Sequence, residues 1–427
     1  MDTHDSRETD QWWGGHLGSP TTHCQRIAEG RRKKVVTSFR RSANNMNGIY
    51  LDHNATCPVH PDVLAAMLPF FQRHAGNASS AHIPGAEARA AIDRARSSVA
   101  SLVGAPSPSV LFTSSATEAI NMAIHSALSF CRGSHPRIVL TAVEHAAVRQ
   151  CVRSLEETGV EAVVVSVDRE GALDLEALSD AITPDTCLVS VMWANNETGV
   201  IFPIPSIAEL CATSQVALHV DGVQAAGKLP ISLQDVPIDY LSISAHKLFG
   251  PKGAGALVAA PSKVRSLLHG GNQEKGRRAG TENVPAIVGF GEAARLALVE
   301  LEDRAATVQS LRDRLEIALR SVDGCYINGQ GQPRIPNTVN VGFPGIDGDA
   351  IAGVLDAAGI YVSTGSACNA DTLTPSHVIT AMTHSYERAS EAVRFSLSHF
   401  NTEEEIEQTG AAVRQSVSSL RSAPTHA

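Results

Sequence analysis

Residues 240–258 read YLSISAHKLFGPKGAGALV. Tyr240 to Ser244 has the composition of a buried strand and delivers the chain into a polar Ser-Ala-His-Lys step. A glycine-rich turn, Gly250 to Gly255, follows, and then a second apolar strand. Lys247 is the informative residue, because lysine is seldom placed inside a parallel sheet layer without a task. A partly desolvated lysine can present a neutral amine, which forms a Schiff base with an aldehyde. Ser244 and His246 flank it with donors suited to a phosphate, and pyridoxal phosphate carries both groups. A lysine at a solvated strand end is the competing account of the same residues.

Working outward, β-branched or apolar runs at Ile138 to Leu140, Val163 to Val167, Leu188 to Met192 and Val216 to Val220 alternate with helical segments at Leu173 to Ile182 and Ile207 to Thr213. Alternation of this kind predicts a parallel sheet covered by helices on both faces. Ligands in such folds sit at the carboxyl ends of the strands, so the polar residues there matter most. They are Glu144 and His145, Asn195 and Asn196, Asp221 and Gln224, and His246 and Lys247. Asp221 after a buried strand would be costly to desolvate alone, and a pyridinium nitrogen would compensate it; a helix-capping aspartate is the alternative. Ser115, Ala116 and Thr117 open a helix and would offer backbone N–H groups to a phosphate, or form an ordinary cap. His145 titrates near neutrality and could stack on a ring and shuttle protons, or be structural.

Upstream, YLDHNATCPVHPDVLAAMLPFF (residues 50–71) predicts a short strand, a proline-marked turn and a helix. Ala88, Ile92, Ala95, Val99 and Leu102 recur at steps of three and four, the mark of an amphipathic helix. Downstream, GGNQEKGRRAGTE (270–282) reads as a polar, flexible loop with no place in a core. Leu301, Ala305, Val308, Leu311, Leu315, Leu319 and Val322 define one long helix leading to a smaller α/β unit, with strands near Thr338 to Phe343 and Val393 to Leu397.

The bulk properties exclude several classes. A hydrophobic content of 43% and a charged content of 19% are those of a globular protein, and no run approaches the roughly 18 apolar residues of a membrane span. The net charge is -9. Residues 1–46 carry eight basic and five acidic side chains, net +3, which leaves -12 for the remainder and argues against nucleic-acid binding. That basic arm reads as a disordered extension. The eight cysteines form no C-x-x-C pair. Cys151, Cys187 and Cys211 read as small buried hydrophobes, and the scattered pattern suits a reducing cytoplasm.

Taken together, YLDHNAT, GNASSAH, the Ser115–Glu118 step, VEHAAV (143–148), ANNETGV (194–200), HVDGVQAAGK (219–228), SISAHKLFGPKG (242–253), RRAGTEN (277–283), STGSACN (363–369) and PSHV (375–378) resemble the cysteine desulfurases of the NifS/IscS type, over about Ile49 to Ile406. The resemblance implies a fold-type I pyridoxal-phosphate transferase of the α/β class. Its large domain, residues 57–302, would hold a mostly parallel seven-stranded sheet flanked by helices; residues 47–56 and 303–421 would form the small domain. It also implies roles. Lys247 would be the Schiff-base lysine and the base for the substrate Cα proton. Asp221 would pair with the pyridine nitrogen, Gln224 with the ring hydroxyl, and His145 would stack on the ring. Asn196 would lie near cofactor and substrate carboxylate, and Arg394 would bind that carboxylate. Ala116, Thr117, Ser244 and His246 would hold the phosphate, joined by Thr281 of a second subunit in a homodimer.

Cys368, in the Ser/Gly-rich loop STGSACNADTLTPS, decides the reaction class. By the resemblance its thiolate attacks the sulfur of L-cysteine, leaving a persulfide on Cys368 and releasing L-alanine, with His145 the candidate base. The persulfide sulfur would pass to an acceptor or iron–sulfur scaffold protein in the cytoplasm, with Cys368 a transient cluster ligand there; no resident metal is expected. Selenocysteine lyase and pyridoxal-phosphate aminotransferase are the alternative activities, and a catalytically silent interaction subunit is a third class. Ser115, His53, Cys57, Gly222, Thr383 and Ser398 depart from the family pattern, the last two near Arg394.

Overall fold

The computed structural model describes residues 48–131, 135–365 and 375–422, so the N-terminal arm and Cys368 lie outside the described residues. Order begins with β1 (Ile49–Tyr50). Helix α1 (Pro61–Gln72) starts at a proline, which is pre-set for a first turn, and His60 caps it by accepting from the Asp62 N–H. Helix α2 (Ile83–Leu102) buries Ala88, Ile92, Ala95, Val99 and Leu102, the stripe its spacing predicts.

The main sheet is then laid down. Its first part comprises β2 (Val110–Thr113), α3 (Ala116–Phe130), β3 (Arg137–Thr141), α4 (Ala146–Glu156), β4 (Glu161–Val165) and α5 (Leu175–Ala181). The rest comprises β5 (Thr186–Met192), α6 (Ile204–Thr213), β6 (Ala217–Asp221), β7 (Tyr240–Ser244) and β8 (Gly255–Ala259). The seven strands lie in the order β2-β8-β7-β6-β5-β3-β4. Pairings from β4 across to β7 are parallel. Strand β8 runs antiparallel to both its neighbours. A parallel return needs a dozen or more residues of crossover, and only residues 245–254 separate β7 from β8. Strands β5, β7 and β8 are buried along their whole length, as expected where both sheet faces are covered. The strand read at Val163 to Val167 sits two residues earlier, because Val167 has already turned out to bridge Leu173.

Helix α7 (Val284–Val299) closes over the main sheet, and α8 (Leu301–Arg320) leads into a second core. There Val308, Leu311, Leu315 and Leu319 pack with Leu51, Val339, Val341, Val393 and Phe395. This core covers a four-stranded sheet of β9 (Tyr326–Ile327), β10 (Thr338–Gly342), β12 (Ser363–Thr364) and β13 (Ala392–Ser396), ordered β12-β13-β10-β9. Strand β11 (Ile360–Tyr361) pairs in parallel with β1. Helices α9 (Gly348–Ala357), α10 (His377–Thr383), α11 (Tyr386–Ser390) and α12 (Glu403–Ser422) complete the lobe.

Two sequence expectations are corrected. Cys187 is buried but is not an inert hydrophobe: its sulfur is bonded to Cys131, with Cα atoms 5.2 Å apart. The loop at 270–282 does reach a core. Glu274 is buried and forms a two-pronged ion pair with Arg96, with both oxygens at 2.7 Å.

Candidate active site

The carboxyl ends of the main strands enclose a cavity of about 520 Å³. It is lined by His145, Asn196, Asp221, Gln224, Ser244, His246, Lys247, Ala116, Thr117 and Arg394, together with Asn54 and Lys252. Ten of the twelve residues expected at the site therefore converge on one cavity. Thr281 does not join it; it lines a neighbouring cavity of about 170 Å³, which shares Ser114, Gly253 and Ala254 with the first. Cys368 lies outside the described residues.

Lys247 ends a single 3-10 turn, Ala245–Lys247, that follows β7 directly. Its Nζ donates to the Ala55 carbonyl at 2.6 Å and to the Asn54 carbonyl. The turn is tight. Gly250 N–H returns to the Ala245 carbonyl, and a Cβ at Gly250 would stand 2.7 Å from that oxygen. The glycine-rich step thus fixes where the amine emerges.

Asp221, the last residue of β6, is buried and accepts from the Val223 N–H at 3.0 Å. Burial raises its pKa, and the nearby His145 and Lys247 oppose that rise. A carboxylate so placed is suited to a cationic ring nitrogen. His145 caps α4, its Nδ1 accepting from the Ala147 N–H at 3.1 Å. An imidazole that accepts at Nδ1 carries its proton on Nε2; burial lowers its pKa and keeps it neutral.

At the opposite corner, α3 begins at Ala116, with Ser115 as its cap. A Cβ at Gly255 would fall 2.4 Å from Ser115 C and 2.7 Å from Ala116 N. Only glycine lets the start of β8 come this close to the helix terminus, where the open N–H groups and the dipole attract an anion. His246 faces the same corner. Its Nδ1 lies 3.1 Å from Thr56 Oγ1, and burial lowers its pKa to about 4.

Arg394 enters from β13. Its Nη2 donates to Asp52 at 2.7 Å and its Nη1 to the Asn196 carbonyl at 3.1 Å, while its buried Nε has no partner among the described residues. The departures Thr383 and Ser398 leave this region ordered. Thr383 Oγ1 donates to the Ile379 carbonyl at 2.7 Å, and Ser398 N–H donates to Asn401 at 2.8 Å.

Sequence reading missed two members of the site. Asn54 is almost wholly buried and accepts from Gln224 Nε2 at 3.0 Å through its carbonyl and from Lys228 Nζ at 3.0 Å through its side chain. Lys228 also donates to Gln224 Oε1 at 2.6 Å. Both stand inside quoted motifs, and the four-residue step from Gln224 to Lys228 was the available signal. Among the described residues no cluster of His, Cys, Asp or Glu could hold a metal ion.

A buried carboxylate, a lysine amine and a helix N-terminus around one cavity fit pyridoxal phosphate by charge and donor type. The chain matches the family described as "Aminotransferase class-V" over residues 49–409. A protein of Bradyrhizobium diazoefficiens named cysteine desulfurase is 46% identical over 381 residues, covering 89% of this chain and 97% of its own. A solved structure titled NIFS-like protein superposes with a TM-score of 0.82 at 37% identity, over 87% of this chain and all of its own. One titled SspA in complex with cysteine gives 0.74 at 32% identity, over 83% of this chain and all of its own. The chain belongs to the class-V aminotransferases, a pyridoxal-phosphate-dependent family. Within that family it is one of the cysteine desulfurases of the NifS type.

Proposed function

We propose that this cavity holds pyridoxal phosphate and that the protein takes sulfur from L-cysteine, releasing L-alanine and leaving a persulfide on Cys368. Bound there, the cofactor supplies an electrophilic carbonyl and a ring that stores the electron pair freed at Cα. Lys247 Nζ anchors it and carries the Cα proton. Asp221 keeps the ring nitrogen protonated, and Gln224 Nε2 donates to the ring hydroxyl. The N–H groups of Ala116 and Thr117, with Ser244 and His246, hold the phosphate, and Thr281 of a second copy completes that pocket in a homodimer. Arg394 and Asn196 orient the substrate carboxylate; the Nε of Arg394, unpartnered among the described residues, is a donor still to be satisfied. The Cys368 thiolate attacks the substrate sulfur as its C–S bond breaks. Its sulfur then passes to an acceptor or iron–sulfur scaffold protein in the cytoplasm.

His145 takes a narrower part than its sequence position suggests. With Nδ1 capping α4, the neutral ring carries its proton on Nε2, from which it can donate a hydrogen bond; it could take up a proton only at Nδ1, by giving up the cap. Stacking on the ring and donating a hydrogen bond from Nε2 fit this tautomer better than a base role toward the thiol.

The observation that carries the reading is the buried Asp221 carboxylate across one cavity from Lys247. A structural relative titled in complex with cysteine supports the substrate. The test compares alanine release from L-cysteine in wild type, Lys247→Ala and Cys368→Ala. Both variants should lose at least about a thousandfold in turnover, with Cys368→Ala keeping the yellow cofactor absorption. Undiminished turnover in Lys247→Ala would refute the lysine assignment, and undiminished alanine release in Cys368→Ala would refute Cys368 as the thiol that takes the sulfur.

A further inference from the structure

Lys228, the last residue of HVDGVQAAGK, is half-buried beside the site and has no part in the chemistry above. Its Nζ donates to Gln224 Oε1 at 2.6 Å and Asn54 Oδ1 at 3.0 Å. Among the described residues neither hydrogen-bond partner is a carboxylate, and an ammonium partly withdrawn from water without a counter-ion is costly to keep. Desolvation lowers its pKa to about 7, with Lys247 and Arg394 pushing the same way and Cys57 opposing, so its positive charge is present at and under about that pH.

Two consequences follow from this placement. An ammonium only donates, so Gln224 must turn its oxygen toward Lys228. Gln224 Nε2 then has one hydrogen for the Asn54 carbonyl, at 3.0 Å, and a second for the cavity it lines. Asn54 is also shared between two amines: its side chain takes Lys228 and its carbonyl takes Lys247. A positive charge one asparagine away disfavours a proton on Lys247 Nζ. We propose that Lys228 is a positioning residue that presents the Gln224 amide N–H to the cofactor ring and, by its charge, holds the nitrogen of Lys247 in its unprotonated form. This rests on the reading of the cavity as a pyridoxal-phosphate site.

The other groups around Lys247 Nζ are Asp221 from β6, His145 from α4, His246 and Lys252 from its own turn, Arg394 from β13 and Cys57 beside the lysine backbone. They stay constant in the test. Full-length wild type, Lys228→Met and Lys228→Gln are loaded with pyridoxal phosphate, and the visible absorption band is titrated with pH. Cofactor affinity is measured by fluorescence quenching of the apoprotein. In both variants the midpoint of the titration should rise by about one unit, the scale of a lost neighbouring charge. Affinity should weaken about five- to tenfold in Lys228→Met, the worth of one hydrogen bond. It should hold within about twofold in Lys228→Gln, which keeps a donor.

A merely structural lysine would change thermal stability and leave the midpoint where it is. Midpoints equal to wild type overturn the charge role, and unchanged affinity in Lys228→Met overturns the orienting role. Should Lys228→Met fail to fold, the midpoint of Lys228→Gln decides. Absence of any visible band in wild type would instead sink the cofactor reading itself.

Discussion

At the scale of single residues, the most consequential unforeseen feature is the protonation of Glu144, the residue before His145. Sequence placed it at a strand end among the polar candidates; its side chain is in fact wholly buried. One oxygen accepts from Thr141 Oγ1 at 2.6 Å and from Met192 N–H at 3.0 Å, and the other has no partner among the described residues. Burial raises its pKa from 4.5 to about 8, with Asp221 adding to the rise against those two hydrogen bonds. The folded chain therefore binds this proton more tightly than the unfolded chain. The stability it contributes is complete below about pH 4.5 and is lost as pH rises through about 8. Glu197 acts with the same sign up to about 7. The buried histidines, such as His246 at about 4, act with the opposite sign and are finished above their ordinary value of 6.5. Glu144→Gln has no proton to lose, so its Tm advantage over wild type should widen by about 2 °C between pH 6.5 and 8.5, from about 2 kcal/mol of linkage at roughly 1 °C per kcal/mol in a chain this long. A constant Tm difference across that range would mean Glu144 is already ionised.

At the scale of elements, the loop over 270–282 shows what sequence could and could not give. Helix α2 was legible because burial repeats along it at steps of three and four, and β5 and β7 because they are short unbroken apolar runs buried on both faces. A polar loop has no period. Nothing near Glu274 reports that it meets Arg96, 178 residues earlier in the chain, or that it also accepts from the Phe112 N–H at 3.3 Å. The backbone concentrates there as well, with φ of 47° at Glu274 and 58° at Lys275, a region non-glycine residues seldom occupy. The ion pair, with side chains only 15% and 3% exposed, holds that conformation in place. Glu274→Ala would leave the Arg96 guanidinium only the Val110 carbonyl at 2.7 Å and the exposed Asp93 at 3.9 Å as polar partners among the described residues, and should cost about 3 kcal/mol, read from the midpoint of urea unfolding. No change in midpoint would make the pair ornamental to the loop. The site had the same limit. Lys247, Asp221 and His145 were legible as polar residues after apolar strands, but the bond between Cys131 and Cys187 joins a helix end to a strand by tertiary proximity alone.

At the scale of the molecule, one buried asparagine gathers contacts from both sheets, beside backbone ties such as Ile335 N–H to the Gly199 carbonyl at 2.8 Å. Asn54 follows β1. Its side chain donates to Thr338 Oγ1 at 2.8 Å and to the Asn196 carbonyl at 3.1 Å, and accepts from Asn337 Nδ2 and Lys228 Nζ, both at 3.0 Å. Two of these partners belong to the four-stranded sheet's segment and two to the loops of the main sheet. The Asn54 N–H donates to Ser396 of β13 at 2.9 Å, while its carbonyl receives Gln224 and Lys247. Arg394 adds a parallel tie through Asp52 and the Asn196 carbonyl. Sheet-to-sheet coupling and the placing of the lysine amine thus run through the same residue, so loosening one should loosen the other. Asn54→Ala removes four side-chain hydrogen bonds at roughly 1 kcal/mol each and deprives a half-buried ammonium of one of its acceptors. We expect a loss of about 3–4 kcal/mol, and, in scanning calorimetry, a single unfolding peak that broadens or divides as the smaller core melts first. Cofactor affinity should fall in step, because Gln224 and Lys247 keep their carbonyl acceptor but lose the side chain that holds it still. If the variant unfolds in one sharp peak at the wild-type temperature, the lobes are joined by their apolar contacts and the Asp52–Arg394 pair, and Asn54 serves the cofactor site alone.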